Sequence, residues 1–422
     1  MRLRLFKRVA LVFPLFFGVC GCSSSQEAST GGALPAEMNA AGGPSSAGAP
    51  SGAGGAGGVT AIVEQGGSVG HSGSKGSAGS SASYAGAVAV TPPTWNSAKS
   101  ETLSDEQLQA EYDQWKEAHA ESCSNGSWVV VKEGNVVSEG IGYGMLLSAA
   151  MADQPLFDGL WKYYQDHLDK NGLMNWKTGK CEAPGNNNSN AATDGDLDTT
   201  MALVQAAARW PGAGYLAKAQ ALAGKIVQFE SEMCSGRRVL RPGDAFGGCS
   251  DPNNQTINPS YFSPGYYKVF AHYFTDQAAA WSALADGSYQ LYTLYQARMD
   301  SLVPDWSGPD GSDNGSSYSY DACRTPWRVA VDYGWTGDTR AKIFMQNMAG
   351  WVDAHGGLPK AAQAQNSAFV GSFALAGGYE QGKFDGYLAA WLNAKLDDQP
   401  YYQGTLRVLY LLVAAGKFSS TL

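Results

Sequence analysis

The chain has 422 residues, 44% of them hydrophobic and 11% aromatic, with a formal charge of −9. This is enough for one large domain or two ordinary ones with a sizeable core. Past the first few residues there is no basic run or stripe, which excludes nucleic acid and an anionic lipid surface as principal partners.

Arg2, Arg4, Lys7 and Arg8 lead into an apolar run from Val9 to Val19. That run is too short to span a bilayer as a stable helix and has the form of an export signal. Val19-Cys20-Gly21-Cys22 follows, which resembles a bacterial lipobox with Cys22 as the lipidated residue, although Val stands where Leu is usual. Simple secretion is the alternative. Ser23 lacks the Asp that signals inner-membrane retention, so the expected location is the outer membrane or cell surface. Residues 23–94 are rich in Gly, Ala and Ser and hold one aromatic residue, Tyr84. Such a segment buries too little apolar surface to fold, and as a flexible linker it reaches roughly 45–50 Å. The expected organisation is a signal peptide over 1–22, a disordered linker over 23–94 and one folded domain over 95–422.

From Trp95 onward the apolar spacing is helical. The first segment starts after Ser104, where Leu108, Tyr112, Trp115 and Ala118 share one face. Eleven more segments fall near 139–152, 156–169, 197–209, 214–230, 264–274, 277–299, 325–333, 338–352, 364–375, 382–395 and 402–415. Few alternating strand patterns compete with them. The long interruptions, 171–190, 235–263 and 303–320, are rich in Asn, Asp, Gly and aromatic residues, and such loops more often serve function than idle connection. Five cysteines lie beyond the lipobox, Cys123, Cys181, Cys234, Cys249 and Cys323. Export permits disulfides, Cys234 with Cys249 would close a short loop worth about 3 kcal/mol, and the odd count leaves one free thiol. No Cys or His pair has zinc spacing.

Three stretches carry chemistry. In Ala191 to Trp210, Asp194, Asp196 and Asp198 crowd the start of a helix. Thr193 or Asp194 can cap it, but one acid would do that work. An EF-hand is excluded because its sixth position is Thr199 and its twelfth Gln205. A substrate-facing carboxylate is the stronger reading. In Ser138-Glu139-Gly140-Ile141-Gly142-Tyr143-Gly144, the glycines permit close backbone approach beside an acid; Ser138 capping with glycine helix packing is the alternative. In Tyr318 to Arg328, Pro326 belongs to a first helical turn, so Asp321 stands at its start with Arg324 three residues on. Cys323 has no nearby base and reads as core. Glu139, Asp194 and Asp321 can converge on one end of a helical barrel. An acid and a base with room for water between them, roughly 6.5–9.5 Å, is the requirement of inverting glycoside hydrolysis. Trp128, Trp176, Tyr261, Tyr266, Tyr267, Trp306, Tyr318, Tyr320 and Trp327 could stack on sugars, half or more of them being ordinary core.

Together these residues resemble glycoside hydrolase family 8. Ala192-Thr193-Asp194-Gly195-Asp196 matches the start of its signature, with Thr199-Thr200 as a departure at a packing position. Ser138 to Met145, Tyr320-Asp321-Ala322-Cys323-Arg324 and Asn258-Pro259-Ser260-Tyr261-Phe262-Ser263-Pro264 match three further motifs in order. The resemblance covers residues 95–422 and implies an all-α (α/α)6 barrel with an inverting mechanism. It implies Glu139 as general acid, Asp321 as general base and Asp194 at the distorted sugar. Tyr261 would hold the attacking water, and Trp176, Arg324, Tyr320 and Asp196 would also contact substrate. The expected activity is endo-hydrolysis of β-1,4-linked polysaccharide, foremost β-glucan such as cellulose. Xylan is the nearest rival, chitosan the more distant one, and a non-hydrolytic glycan-binding surface lipoprotein the alternative of another class. No metal or cofactor is needed, and a monomer attached to membrane only through its N-terminal lipid is expected.

Overall fold

In the computed structural model, residues 95–185 and 190–419 are described; Cys22 and the Gly/Ala/Ser-rich stretch lie outside them. Twelve α-helices occur among these residues: α1 (Asp105–His119), α2 (Ser138–Ala150), α3 (Gln154–Asp166), α4 (Thr193–Arg209), α5 (Tyr215–Phe229), α6 (Pro264–Tyr273), α7 (Ala278–Arg298), α8 (Thr325–Thr336), α9 (Thr339–Ala354), α10 (Ser367–Ala376), α11 (Gln381–Leu392) and α12 (Tyr401–Ala414). They sort into two rings by the width of their buried face. Every residue of α10 is buried, as are all residues of α8 except Tyr333 and Thr336, whereas α1 buries only the stripe Leu108, Tyr112 and Trp115 and α11 only Phe384, Tyr387, Leu388 and Trp391. A helix apolar all round belongs inside and one with a single stripe belongs outside. The even-numbered helices form the inner ring, with α12 packing back on α2, and the odd-numbered ones form the outer ring, giving an (α/α)6 barrel.

Six short strands stand where the helical reading placed loops. β1 (Ala120–Ser122), β2 (Trp128–Lys132), β3 (Asn135–Val137) and β4 (Lys177–Gly179) make an antiparallel sheet, and β5 (Ser231–Cys234) pairs with β6 (Arg237–Leu240). Glu133-Gly134 and Ser235-Gly236 form the two-residue turns at φ of 50° and 81° and of 50° and 79°. Positive φ at both central residues is the hairpin geometry that matches strand twist. Strands of three to five residues are too short to show an alternating pattern. The first sheet delivers the chain from β3 directly into α2, and therefore fixes where Glu139 begins. A disulfide between Cys123 and Cys181 spans this sheet, and Cys234–Cys249 closes the second hairpin to its loop; Cys323 is free and buried. No described helix is long and apolar enough to cross a membrane.

Two capping expectations fail. The residues before α2 and α4 are Val137 and Ala192, and neither helix start has a side-chain cap. Ser138 is instead buried against α4. Thr193 lies inside α4 and donates its hydroxyl to the Arg241 carbonyl, while Asp194 Oδ1 accepts the N–H of Gly195. The glycines do pack helix on helix. A Cβ on Gly142 would lie 2.9 Å from the Gly195 carbonyl oxygen, and one on Gly195 would lie 2.6 Å from the Ser138 backbone. Backbone contact of this kind brings the starts of α2 and α4 together, which no larger residue permits. Gly195→Ala is expected to destabilise the fold by about 1–3 kcal/mol through overpacking, read as a lower midpoint in denaturant unfolding.

Candidate active site

The helix α4 turns by about 100° per residue, so acids two apart project to nearly opposite sides and acids four apart to nearly the same side. Asp194 and Asp198 accordingly face the barrel interior, and Asp196 faces away. Across the barrel stand Arg324, in the turn of 3-10 helix over Ala322–Arg324, and Arg328, four residues on in α8. Arg328 Nη1 and Nη2 donate to the two oxygens of Asp198 at 2.5 and 2.7 Å, both side chains being buried. Arg324 Nη1 donates to Asp194 Oδ2 at 2.9 Å. These are two rungs of one ladder through the barrel.

The upper rung carries the site. Arg324 Nη1 also donates to Glu139 Oε2 at 2.8 Å, and Nη2 donates to Asp321 Oδ1 at 2.7 Å and Ser260 Oγ at 2.8 Å. The Tyr143 hydroxyl also lies 3.3 Å from Nη1, and Nε donates to the Asp321 carbonyl at 3.4 Å. One guanidinium thus joins Glu139, Asp194 and Asp321, and its bond to Glu139 spans 185 residues of sequence. This corrects the expectation for Arg324 itself: it is buried, its donors are all committed to protein, and it orients carboxyls instead of contacting sugar.

The three acids differ in surroundings. The Glu139 side chain is 15% exposed and Asp321 31%. Burial raises Glu139 above the usual carboxyl range, with the Asp194 charge adding to it, against the lowering effects of Arg324, Lys132 and a hydrogen bond from Tyr401. That bond runs from the Tyr401 hydroxyl, at the start of α12, to Glu139 Oε1 at 2.9 Å. Asp321 Oδ2 accepts the indole N–H of Trp306 at 3.0 Å. Its turn is anchored by Asp305, which accepts the N–H groups of Ser319 at 2.9 Å and Ala322 at 2.7 Å. Burial lifts Asp305 to about 6.

Tyr261, half-buried, has its ring 5.3 Å from the Arg324 guanidinium, and burial beside Asp194 and Asp321 keeps its phenol well above the usual range, hence neutral. Trp176 and Tyr320 are exposed aromatic faces, 43% and 51% accessible. Lys177 lies 5.8 Å from the Trp176 ring, and Tyr320 stands edge-on to Phe369 at 5.1 Å. Tyr266, Tyr267, Tyr318 and Trp327 are core. Asp196 is not brought to this group. It is fully buried on the far side of α4, where it accepts from Tyr164 and from the Met174 N–H, so the expected sugar contact is withdrawn.

Tyr401, Ser260 and Asp305 are participants without an assigned role in the sequence, and Trp306, one of the aromatics expected to stack on sugar or to lie in the core, also donates to Asp321. Ser260 and Trp306 lay within a motif and a suspect loop already noted; Tyr401 reaches Glu139 across 262 residues, and no local pattern announces it. Among the described residues, one trio of metal-ligating side chains comes together, Glu232, Cys234 and Cys249, and its two sulfurs are already bonded to each other.

Comparison with known proteins bears out the family resemblance. Residues 85–416 match the profile of glycosyl hydrolases family 8. The chain is 36% identical over 349 residues to Endoglucanase A of Acetivibrio thermocellus, covering 75% of this chain and 70% of that one. It is 31% identical over 347 residues to Endoglucanase C of Ruminiclostridium cellulolyticum, covering 76% and 73%. The apo structure of a beta-1,3-1,4-glucanase from Paenibacillus sp. X4 superposes with a TM-score of 0.66 at 26% identity, over 78% of this chain and 98% of that one. A reducing-end xylose-releasing exo-oligoxylanase shares the fold, with a TM-score of 0.63 at 18% identity, over 76% and 94%. A helical barrel with three carboxyls gathered on one arginine, matched along its folded length, belongs to glycosyl hydrolases family 8, and the chain is an inverting glycoside hydrolase.

Proposed function

We propose that this enzyme is an endo-β-1,4-glucanase in which Glu139 is the general acid, Asp321 the general base and Asp194 the holder of the sugar at the cleavage point. The observation that carries this reading is the Arg324 guanidinium shared by the three carboxyls. Glu139 and Asp194 sit on its Nη1 and Asp321 on its Nη2, so acid and base stand apart by a guanidinium and two hydrogen bonds. That separation suits a water between base and sugar, the inverting arrangement of roughly 6.5–9.5 Å.

The drier carboxyl, raised by burial, gives its proton to the glycosidic oxygen. Asp321, supplied with donors by Arg324 and Trp306, takes a proton from the water as that water attacks the opposite face of the ring. In this reading the neutral hydroxyl of Tyr261, beside Asp194 and Asp321, orients this water, and Trp176 and Tyr320 offer faces for sugar stacking. The endoglucanases among the relatives support a β-glucan substrate. The test is release of reducing ends from soluble cellulose derivative, mixed-linkage glucan, xylan and chitosan. Product is expected from the glucans, with turnover falling about 10²–10⁴-fold in Glu139→Gln and in Asp321→Asn while both stay folded. Turnover like the wild type in either variant rejects the assignment.

A second expectation concerns pH. Since the Tyr401 hydroxyl stabilises ionised Glu139, Tyr401→Phe raises the acid further and keeps it protonated to higher pH. The alkaline limb of the kcat/KM profile is expected to move upward; an unmoved or lowered limb contradicts the role of Glu139.

We also propose export as a lipoprotein anchored through Cys22, on the basic region, the short apolar run and the lipobox-like Val19-Cys20-Gly21-Cys22. Metabolic labelling with palmitate is expected to mark the full chain and to be lost in Cys22→Ala; equal labelling of both rejects lipidation at this residue.

A further inference from the structure

Asp196 faces a part of the molecule that the reaction does not use. It lies, fully buried, beside Glu230, which ends α5 and is itself fully buried. Next to them Asp169, in the turn after α3, stands against Asp244, in the loop after β6. Among the described residues none of these four acids has a cation partner. Of the neighbouring cations, Lys225 is committed to the Gly172 carbonyl and Arg241 to the carbonyls of Phe229, Asp244 and Gly247, and Lys170, beside Asp169 in the chain, is exposed. The other titratable neighbours are Tyr164, which donates to Asp196, and His167, whose Nδ1 meets the Tyr163 carbonyl.

One oxygen of Asp196, one of Asp169 and both of Glu230 are buried with no donor among the described residues. Buried charges left in this state are strongly unfavourable. A proton held between Glu230 and Asp196, and another between Asp169 and Asp244, removes a charge from each pair and supplies the missing donor. Among the described residues, no three of these acids bring one ligand atom each within 4.8 Å of one another, which is a poor arrangement for a metal ion.

What the four acids hold is the approach to the site. Asp169 Oδ1 accepts the N–H groups of Asn171 and Leu173 at 2.8 and 3.0 Å, and Asp196 Oδ1 accepts that of Met174 at 3.3 Å. Asp244 accepts the Asn171 side-chain amide at 2.6 Å and the Ala191 N–H at 2.9 Å. The segment so clamped ends at Trp176, whose carbonyl accepts the N–H of Ser138, the residue before Glu139, at 2.9 Å.

We propose that Glu230 with Asp196, and Asp169 with Asp244, are proton-sharing carboxyl pairs that act as positioning residues, holding the Trp176 segment against the start of α2 until the shared protons leave. The consequence for substrate rests on the reading of Trp176 as a sugar platform. Burial lifts Asp196 to about 7 and Asp169 to about 6, and holds Glu230 well above the usual carboxyl range. Folded-state values raised above those of the unfolded chain mean that this stabilisation is complete at acid pH and is lost as pH climbs through about 6 to 7 and beyond.

The experiment has two arms on the full chain. In the first, infrared spectroscopy is expected to show a protonated carboxyl band at neutral pH that weakens in Glu230→Gln, whose amide can donate to Asp196 without titrating. Thermal stability of the wild type is expected to fall from about pH 5 to pH 8, less steeply in Glu230→Gln. In the second, the KM for soluble β-glucan is expected to rise over the same range in the wild type and to rise less in the variant, while kcat keeps the alkaline limb set by Glu139. A missing carboxyl band or a flat stability profile in the wild type overturns the proposal, and so does stabilisation by calcium that chelation reverses. Asp169→Asn gives the same reading through the second pair if Glu230→Gln does not fold. Absence of turnover on every glucan would reject the proposed substrate and leave the first arm to decide on the pairs.

Discussion

The site depends on one cation in a place where a cation is hard to keep. Arg324 is buried, and a guanidinium in such surroundings requires partners on its donors. It finds three carboxyls, and the fixed fork of its N–H groups turns that requirement into geometry: each acid is held at hydrogen-bond distance. One positive charge does not offset three negative ones. The residual imbalance falls on Glu139, the drier of the two reacting acids, where burial favours the neutral form. Orientation of the site and protonation of its acid therefore have a common origin.

The ladder below it explains why Arg324 stays in register. Asp194 and Asp198 are one helical turn apart on α4, as Arg324 and Arg328 are on the opposite side. The lower rung is a fully buried bidentate pair with no catalytic part to play, and it fixes the distance between α4 and α8 from which the upper rung is suspended. The glycines at 142 and 195 add the other coordinate by letting α2 settle backbone to backbone on α4. The three acids are thus set by a helix contact, an ion pair and a short turn, each of a different physical kind.

The outer helices were legible because one buried stripe leaves a period of 3.6 in the sequence, the inner ones because they read as long apolar stretches between Gly- and Pro-rich breaks, and the reacting acids because each stands at a helix start inside a glycine- or aromatic-rich motif. Three other features were not. The strands are only a few residues long, and their hairpins rest on backbone angles at Glu133 and Ser235, residue types that do not announce a left-handed conformation. Asp196 was grouped with Asp194 by proximity in the chain, when the helical rotation between them sends it to the opposite side. Tyr401 became a partner of Glu139 only through closure of the barrel, a contact with no local trace.

That contact has a temporal side. Glu139 belongs to the second helix and Tyr401 to the twelfth, so during synthesis the acid exists for most of the chain's emergence without the hydroxyl that shares its proton. The Arg324 fork arrives late as well, in the eighth helix. Glu139 therefore has both of its partners only when the eighth and twelfth helices have closed on the second, and the full set of bonds around the acid is a property of the closed ring alone.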